Sequence, residues 1–493
     1  MPNLKLWQAG ICREIPFTGT PVLSELLCQH SIAVAHPCGG RGVCGKCAIR
    51  AAGAISPPTP AEKKAGTRLS CQITLLGDAE VWLPEDLGTV ETAGYSPEAG
   101  TAMAGRFGAA VDIGTTTVAL KLYDLKTGSL LAEEGTMNPQ RSVAADVMGR
   151  IGAAMGGLGP MLQDMVAEII RVLLTKACAK AAITIAQVDT LVIAGNTTML
   201  YLLTGRDPAC LSCAPFQADC LFDRMDTLLG IPVYYPPCMN AFVGADISCA
   251  VLSSGMHLRH KTALLCDIGT NGELALWKDG VLYVTSTAAG PAFEGAGISC
   301  GCGSIPGAID RVWVQNGKIR IHTIENKPPV GLCGSGLVDA IAAFLETEDI
   351  DETGAMEEDF LPLAENIRLL PGDVRAVQLA KGAIAAGIRT LLDSAGISEN
   401  DIETLYIAGG FGSHLNAASA AAIGLIPREL EHRVVVIGNG ALSGAAQLLL
   451  RQEDISRIRE LAQKSHHVNL GGNSLFNRHF MEAMLFGDNN LFD

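Results

Sequence analysis

The stretch of sequence that decides the fold is DIGTTT at residues 112–117, which returns as DIGTNGE at residues 267–273. Each copy lies between two apolar runs, a pattern that predicts a β-hairpin with a glycine turn. Later in each half, an apolar run (190–194, then 404–408) leads into a loop of glycine or asparagine. A repeat on this scale predicts a duplicated α/β domain with two lobes.

Both turns have the composition of a phosphate-binding loop. Glycine lets the backbone approach an anion closely, and backbone N–H groups and threonine hydroxyls can donate to its oxygens. The candidate nucleotide-binding residues of the two turns are Gly114, Thr115, Thr116, Gly269, Thr270 and Asn271. One such turn alone is compatible with an ordinary hairpin, whereas the pair, with Gly409-Gly410-Phe411-Gly412 downstream, favours a clamp around a triphosphate.

Acidic residues at these turns are the candidate catalytic groups. Asp112 and Asp267 end the first strand of each hairpin and can hold Mg²⁺ through water, since Mg²⁺ gives up its water reluctantly. Glu273 follows the second turn and completes the set. Which acidic residue orients an attacking water is left open by the sequence, and the candidates are Glu273, Glu294, Asp146 and Asp246.

The only dense cysteine cluster is CGGRGVCGKC at residues 38–47, and a further cysteine follows in a separate segment. Cys38, Cys44, Cys47 and Cys71 are spaced so that three thiolates come from one loop and the fourth from a distant segment, which suits a [2Fe–2S] cluster. Structural zinc usually needs two C-x-x-C pairs, and the second is missing here. The formal P-loop match at residues 40–46 fails because Cys47 stands where Ser or Thr would bind Mg²⁺.

Length and composition set the class of protein. A chain of 493 residues, 48% of them hydrophobic, predicts about three domains with large buried cores. The net charge of −15, without a run of Lys and Arg or a basic patch studded with aromatic residues, argues against nucleic acid as a partner. The sequence shows neither a signal-peptide pattern nor an apolar stretch of membrane-spanning length, so we expect a cytoplasmic protein without a membrane partner.

We expect the domain order to follow the motifs. Residues 1–86 read as strand, strand, helix and cysteine loop, and residues 87–107 as a linker rich in small residues. Residues 108–253 and 254–493 then form the two lobes. The predicted fold is an α+β domain followed by a duplicated α/β domain.

The two halves of this arrangement resemble two known families. The N-terminal part resembles β-grasp [2Fe–2S] ferredoxins of the adrenodoxin-like branch, which have five residues in the first cysteine gap. The repeated turns resemble the acetate and sugar kinase/Hsp70/actin superfamily. That resemblance implies an actin-like (ribonuclease H-like) ATPase domain with a phosphate-1 loop at 112–117, a phosphate-2 loop at 267–273 and an adenosine loop at 407–412.

The whole chain resembles the reductive activators of corrinoid proteins, also through NPQ at 138–140, AGNTTM at 194–199 and GPAFEG at 290–295. The resemblance implies an ATP-dependent activase that reduces inactive Co(II) corrinoid to Co(I) on the corrinoid protein of a methyltransferase system. It implies ATP, Mg²⁺ and a [2Fe–2S] cluster as cofactors, and a low-potential electron donor such as a ferredoxin or flavodoxin-like protein. Larger members carry a separate middle domain, and the short linker here leaves no room for one. The oligomeric state, with a homodimer as one alternative, therefore stays open.

Two other functions fit the same motifs. One is an ATP-dependent electron activator of a non-corrinoid enzyme, similar in idea to the activators of radical dehydratases, which hold a [4Fe–4S] cluster between subunits. The other is a non-catalytic iron–sulfur redox sensor whose ATPase lobes only signal. An entry cluster combined with ATP machinery favours uphill electron delivery over the sensor. A [2Fe–2S] spectrum with four ligands per chain would count against the dehydratase-type activator.

Overall fold

The computed structural model describes residues 1–8, 11–30, 32, 34, 42, 47–83, 100–410 and 414–487. These residues form an N-terminal unit and two larger lobes, each built on its own β-sheet. Among the described helices, none is both long and apolar enough to cross a membrane.

The N-terminal unit is a five-stranded sheet with two short helices. Its elements are β1 (Asn3–Gln8), β2 (Ile11–Pro16), α1 (Leu23–Gln29), β3 (Ala48–Ile55), α2 (Pro60–Ala65), β4 (Arg68–Leu69) and β5 (Leu75–Trp82). The strand order is β2-β1-β5-β3-β4, with β1 and β5 parallel and antiparallel pairs on either side. Alternate residues of β1, Leu4 and Leu6, share one buried core with Leu23 and Leu27 of α1. This is the predicted β-grasp arrangement.

The first lobe is a six-stranded sheet covered by helices. Its elements are β6 (Phe107–Ile113), β7 (Thr117–Asp124), β8 (Ser129–Met137), α3 (Val147–Ala153), α4 (Gly159–Lys180), β9 (Val188–Gly195), α5 (Thr197–Leu203), β10 (Arg224–Leu228), β11 (Ile231–Tyr235) and α6 (Ala245–Ser254). The strand order is β10-β11-β9-β6-β7-β8.

The second lobe contains a second six-stranded sheet and two smaller ones. Its elements are β12 (Ala263–Ile268), β13 (Gly272–Lys278), β14 (Val281–Thr287), β15 (Ala308–Gln315), β16 (Lys318–Thr323), β17 (Gly331–Leu332), α7 (Gly334–Glu346), β18 (Leu361–Ala364), β19 (Ile367–Leu369), α8 (Pro371–Ala395), β20 (Thr404–Ala408), α9 (Ala417–Ala422), β21 (Val434–Gly438), α10 (Gly440–Leu450), α11 (Asp454–Gln463), β22 (Ser465–His467) and α12 (Ser474–Glu482). The large sheet has the order β21-β20-β12-β13-β14-β22, and the smaller ones are β16-β15-β17 and β18-β19.

The two large sheets repeat one five-strand pattern. The strands β8-β7-β6-β9-β11 of the first lobe correspond to β14-β13-β12-β20-β21 of the second. In each set, three antiparallel strands continue into two parallel ones. The predicted duplication is confirmed, and the two DIGT turns join equivalent strands, β6 to β7 and β12 to β13.

Helices α6 and α10 cross between the sheets and tie the lobes together. Val251 of α6, which follows the first sheet in sequence, shares a core with Leu265 of β12. Leu442 of α10, which follows the second sheet, shares a core with Ala110 of β6. The second half of the chain therefore contributes a helix to the first lobe. The predicted boundary, with residues 254–493 as one lobe, does not include this exchange.

We predict that Gly444→Ala destabilises the protein, because a Cβ on Gly444 of α10 would lie 2.1 Å from the carbonyl oxygen of Cys249 in α6. Overpacking of this kind costs about 1–3 kcal/mol and should lower the urea midpoint of unfolding. Gly372→Ala is the matched control, since a Cβ at this position of α8 meets no atom within 4 Å. Equal stability of the two variants would contradict the close crossing.

Candidate functional site

The two DIGT turns face each other across one cavity of about 500 Å³. The sequence-predicted residues that line it are Asp112, Gly114, Thr115, Thr116, Asp267, Gly269, Thr270, Asn271, Glu273, Gly409 and Gly410. Two more predicted residues, Phe411 and Gly412, lie outside the described part of the chain. Residues that are about 300 positions apart in sequence thus surround one space.

A single carboxylate links the two turns. Thr116 Oγ1 donates to Glu294 Oε2 at 2.5 Å, and Thr270 Oγ1 donates to Glu294 Oε1 at 3.0 Å. The two hydroxyl oxygens are 3.2 Å apart. Glu294 is held there by a tight turn, because Gly295 has a φ of +75° and a Cβ on it would lie 2.5 Å from the carbonyl oxygen of Cys302. The carboxylate therefore occupies a position between the two turns where both can donate to one acidic group.

Three asparagines fix the first turn from behind. Each caps the start of a helix with its Oδ1 and points its Nδ2 at the turn. The three Nδ2 groups donate to Gly114 O (2.8 Å, from Asn138), Thr115 Oγ1 (3.1 Å, from Asn196) and Asp112 Oδ2 (3.0 Å, from Asn439). Asn138 and Asn196 belong to the NPQ and AGNTTM motifs, whose sequence alone does not indicate this role. The signal that could have found them is an asparagine directly before a helical run.

Arg150 supports the same turn and was not predicted. Its side chain is fully buried and its Nη2 donates to Thr115 O at 2.5 Å. The same guanidinium donates to Gln140 Oε1 and to Ala144 O. Burial lowers the pKa of Arg150 to about 9, so the buried cation depends on these carbonyl and amide partners. The backbone carbonyl of the turn is therefore held, while its hydroxyls remain directed to the cavity.

Four acidic side chains line the cavity: Glu273 is buried, and Asp112, Asp246 and Asp267 are half-buried. Burial raises the pKa of Asp112 to about 6 and, together with the charges of Asp112 and Glu294, that of Asp267 to about 7. Burial also raises the pKa of Asp246 and of Glu273, and neighbouring carboxylates add to both shifts. Such a group favours a cation or protons. Within the described residues no three acidic, histidine or cysteine side chains are placed to hold a metal ion directly.

The structure separates the four candidates for orienting a water. Glu273, Glu294 and Asp246 line the cavity. Asp146 instead accepts a hydrogen bond from Gly149 N at 2.7 Å and caps α3. It is absent from the cavity lining, and its role in the described structure is that of a helix cap.

Two of the four predicted cluster ligands can be placed. Cys47 directly precedes β3 and Cys71 follows β4, and their Sγ atoms lie 3.3 Å apart without a disulfide bond. Both are buried. Cys38 and Cys44 lie outside the described residues. Two thiols that converge from separate segments fit a shared metal centre as donor groups.

The fold and the cleft define an actin-like ATPase joined to a ferredoxin-like domain. Residues 261–493 match a family model described as the C-terminal domain of RACo, the ASKHA domain, and residues 107–259 match one described as the RACo middle region. Corrinoid activation enzyme RamQ of Eubacterium limosum is 36% identical over 423 residues, which cover 78% of this chain and 71% of that protein. The chain therefore belongs to the family of reductive activators of corrinoid proteins.

Two further relatives agree with this. The [Co(II) methylated amine-specific corrinoid protein] reductase of Methanosarcina barkeri is 26% identical over 417 residues, covering 76% of each chain. The solved structure of a reductive activator for corrinoid, iron-sulfur protein superposes with a TM-score of 0.71 at 26% identity, covering 99% of this chain and 98% of that one. Residues 107–259, which match the family's middle region, form the first lobe, so the absence of a separate domain between linker and first lobe stays a prediction.

We predict that Gly409→Ala abolishes nucleotide binding. Gly409 directly follows β20 with a φ of +91°, and a Cβ on it would lie 2.8 Å from Asp267 Oδ1, displacing that carboxylate. Gly280→Ala is the control, because Gly280 has a similar φ of +82° but no atom within 4 Å of a Cβ. Both variants carry the backbone strain, and only the first disturbs the cavity. Isothermal titration with ATP and Mg²⁺ measures the difference, and unaltered binding by Gly409→Ala would argue against the assignment.

Proposed function

We propose that this protein uses ATP to drive the one-electron reduction of inactive Co(II) corrinoid to Co(I) on the corrinoid protein of a methyltransferase system. The relatives support this choice, because they are named for corrinoid activation and for reduction of a Co(II) corrinoid protein. The observation that carries the ATP dependence is the single cavity in which two threonine-glycine turns and four buried or half-buried carboxylates meet.

In this proposal the cavity binds ATP with Mg²⁺. The glycines and hydroxyls of the two turns receive the phosphates, and the Gly409–Gly412 loop receives the adenosine. Asp112 and Asp267 hold Mg²⁺ through water, and Glu273 lies beside them. A cation at this place would stabilise the charged carboxylates, whose pKa values are raised by burial and, for Asp267, also by neighbouring carboxylates. Phosphate oxygens would compete with Glu294 for the two threonine hydroxyls, so nucleotide binding would replace the link between the turns.

The electron enters through the N-terminal unit. Cys38, Cys44, Cys47 and Cys71 would hold a [2Fe–2S] cluster, which supplies a one-electron carrier when bound. A low-potential ferredoxin or flavodoxin-like protein would provide the electron. No disulfide forms among the described cysteines, which fits the reducing cytoplasm that such a donor requires.

The same proposal assigns the parts of the chain. Residues 1–86 receive the electron, residues 87–107 join them to the ATPase, and residues 108–253 and 254–493 are its lobes. Helix α10 belongs to the range 254–493 in sequence but packs on the sheet of the first lobe.

Energetics explain why ATP is needed. Clusters of this type lie near roughly −400 mV, and Co(II)/Co(I) couples lie lower. For one electron, about 59 mV corresponds to a factor of ten, or about 1.4 kcal/mol. A gap of a few hundred millivolts therefore costs on the order of 5 kcal/mol. A conformational change driven by ATP can offset that cost.

The proposal predicts that Co(I) absorption appears when the protein is mixed with a low-potential reductant, a Co(II) corrinoid protein and MgATP, and not when ATP is left out. If Co(I) fails to accumulate with every methyltransferase corrinoid protein that is tried, the proposal is wrong. A [4Fe–4S] signal shared between two subunits would favour an activator of a non-corrinoid enzyme. Nucleotide binding without any electron transfer would favour a sensor.

Two substitutions should separate the two centres. Cys71→Ser is expected to lose the iron–sulfur absorption while ATP affinity stays unchanged, because the residue belongs to the N-terminal unit. Asp267→Ala is expected to lose ATP binding while the iron–sulfur absorption stays. Both should abolish Co(I) formation. The reverse pattern of losses would overturn the assignment of the residues.

A further inference from the structure

The β15–β16 hairpin presents a basic and aromatic face to solvent. Cross-strand pairing puts Arg311 opposite His322, Trp313 opposite Arg320 and Gln315 opposite Lys318. Because side chains alternate along a strand, these six residues share the outward face. All but His322 are exposed, and Trp313 retains 44% of its accessible surface. A large exposed aromatic side chain between arginines is a composition typical of protein interfaces.

This face is positive on a negative protein. None of its residues is acidic, and Asp310 beside it is engaged by His322 Nδ1 at 2.7 Å. Arg311 also acts on the buried carboxylate of Asp339, whose pKa it lowers against the larger effect of burial. The whole chain has a net charge of −15. The expectation that the chain has no basic patch with aromatic residues is therefore wrong at this place. The basic residues are separated in the sequence, and the pairing of β15 with β16 brings them onto one face.

The start of β15, at Ile309 and Asp310, is fixed to the wall of the nucleotide cavity. A Cβ on Gly336 of α7 would lie 2.1 Å from Ile309 O, so β15 and α7 are in backbone contact. Cys333 N donates to Ile309 O at 3.1 Å, and Ser335 Oγ donates to Asp310 O at 3.1 Å. Ser335 also lines the cavity. A displacement of the hairpin would therefore move the first turn of α7 directly, because no loop lies between them.

The other side of the small sheet borders the same cavity. Cys302 N donates to Leu332 O at 3.0 Å, and Leu332 N donates to Cys300 O at 2.9 Å. Cys302 and Ser304 line the cavity, and the turn that holds Glu294 packs on the backbone of Cys302. Strand β17 thus lies between the hairpin and the segment of Cys300 and Cys302, and the hairpin is the part of this sheet that reaches solvent.

We infer that the outward face of this hairpin, from Arg311 to His322, binds an acidic surface on the corrinoid protein. This rests on the proposed function. Charge complementarity selects an acidic partner, and the position of the hairpin selects the corrinoid protein over the electron donor. The electron donor must reach the N-terminal unit that carries Cys47 and Cys71. The hairpin instead belongs to the second lobe, next to segments that line the nucleotide cavity. Docking on it would couple the corrinoid protein to the state of the cavity.

The test compares the double charge reversal Arg311→Glu/Arg320→Glu and the variant Trp313→Ala with wild type in the Co(I) assay. We expect each to raise the KM for the corrinoid protein by about tenfold or more. Added salt should raise the wild-type KM and have less effect on the double variant. ATP affinity and reduction of the iron–sulfur centre should stay unchanged. Stimulation of ATP hydrolysis by the corrinoid protein, where wild type shows it, should be lost in both variants.

Lys126→Glu/Lys176→Glu is the matched control, because it makes the same change in charge at two exposed lysines of the first lobe. Its KM should equal that of wild type. If the hairpin variants keep the wild-type KM, or if the KM of the control variant rises equally, the assignment of the docking face is wrong while the proposed function stands. If wild type reduces no corrinoid protein, both fall. Salt-dependent binding of a DNA or RNA oligonucleotide that the hairpin variants lose would also overturn the inference.

Discussion

The burial of four carboxylates around one cleft is the constraint on which the rest of the structure depends. Glu273 is buried and Asp112, Asp246 and Asp267 are half-buried. Burial raises the pKa of all four, and the charges of neighbouring carboxylates add to the shifts of Asp246, Asp267 and Glu273. Buried acidic groups of this kind need a cation or protons nearby. MgATP offers the cation and, in the same molecule, the phosphates that the glycine turns suit. A free anion would add to the repulsion.

This constraint also explains why the lobes are joined as they are. Each lobe supplies one aspartate and one threonine turn, so the site is complete only when both sheets face each other. The exchange of α6 and α10 holds the sheets in that position, and Glu294 links the turns between them. In the proposed function, a ligand that displaces Glu294 changes contacts in both lobes at once. That is the kind of two-state element through which ATP can act on a distant electron transfer.

Much of this arrangement follows from local sequence. The repeated DIGT segments predict the duplicated fold and the residues at the cavity, because a glycine turn between apolar strands has few alternatives. The supporting residues do not follow from it. Arg150 reaches the first turn from a helix, and Asn439 reaches Asp112 from the other half of the chain, contacts that only the tertiary fold creates. The hairpin around Trp313 escapes a search for charge runs for a different reason, because its basic residues are separated by uncharged ones along the sequence.

The most direct measurement of the central claim is a single turnover without external reductant. The protein is reduced first, excess reductant is removed, and the Co(II) corrinoid protein is added before MgATP. The account predicts that the iron–sulfur absorption and the Co(II) spectrum stay constant until ATP is added. Co(I) should then form in the same amount as oxidised cluster. Co(I) formation before ATP is added, or oxidation of the cluster without Co(I), would contradict it.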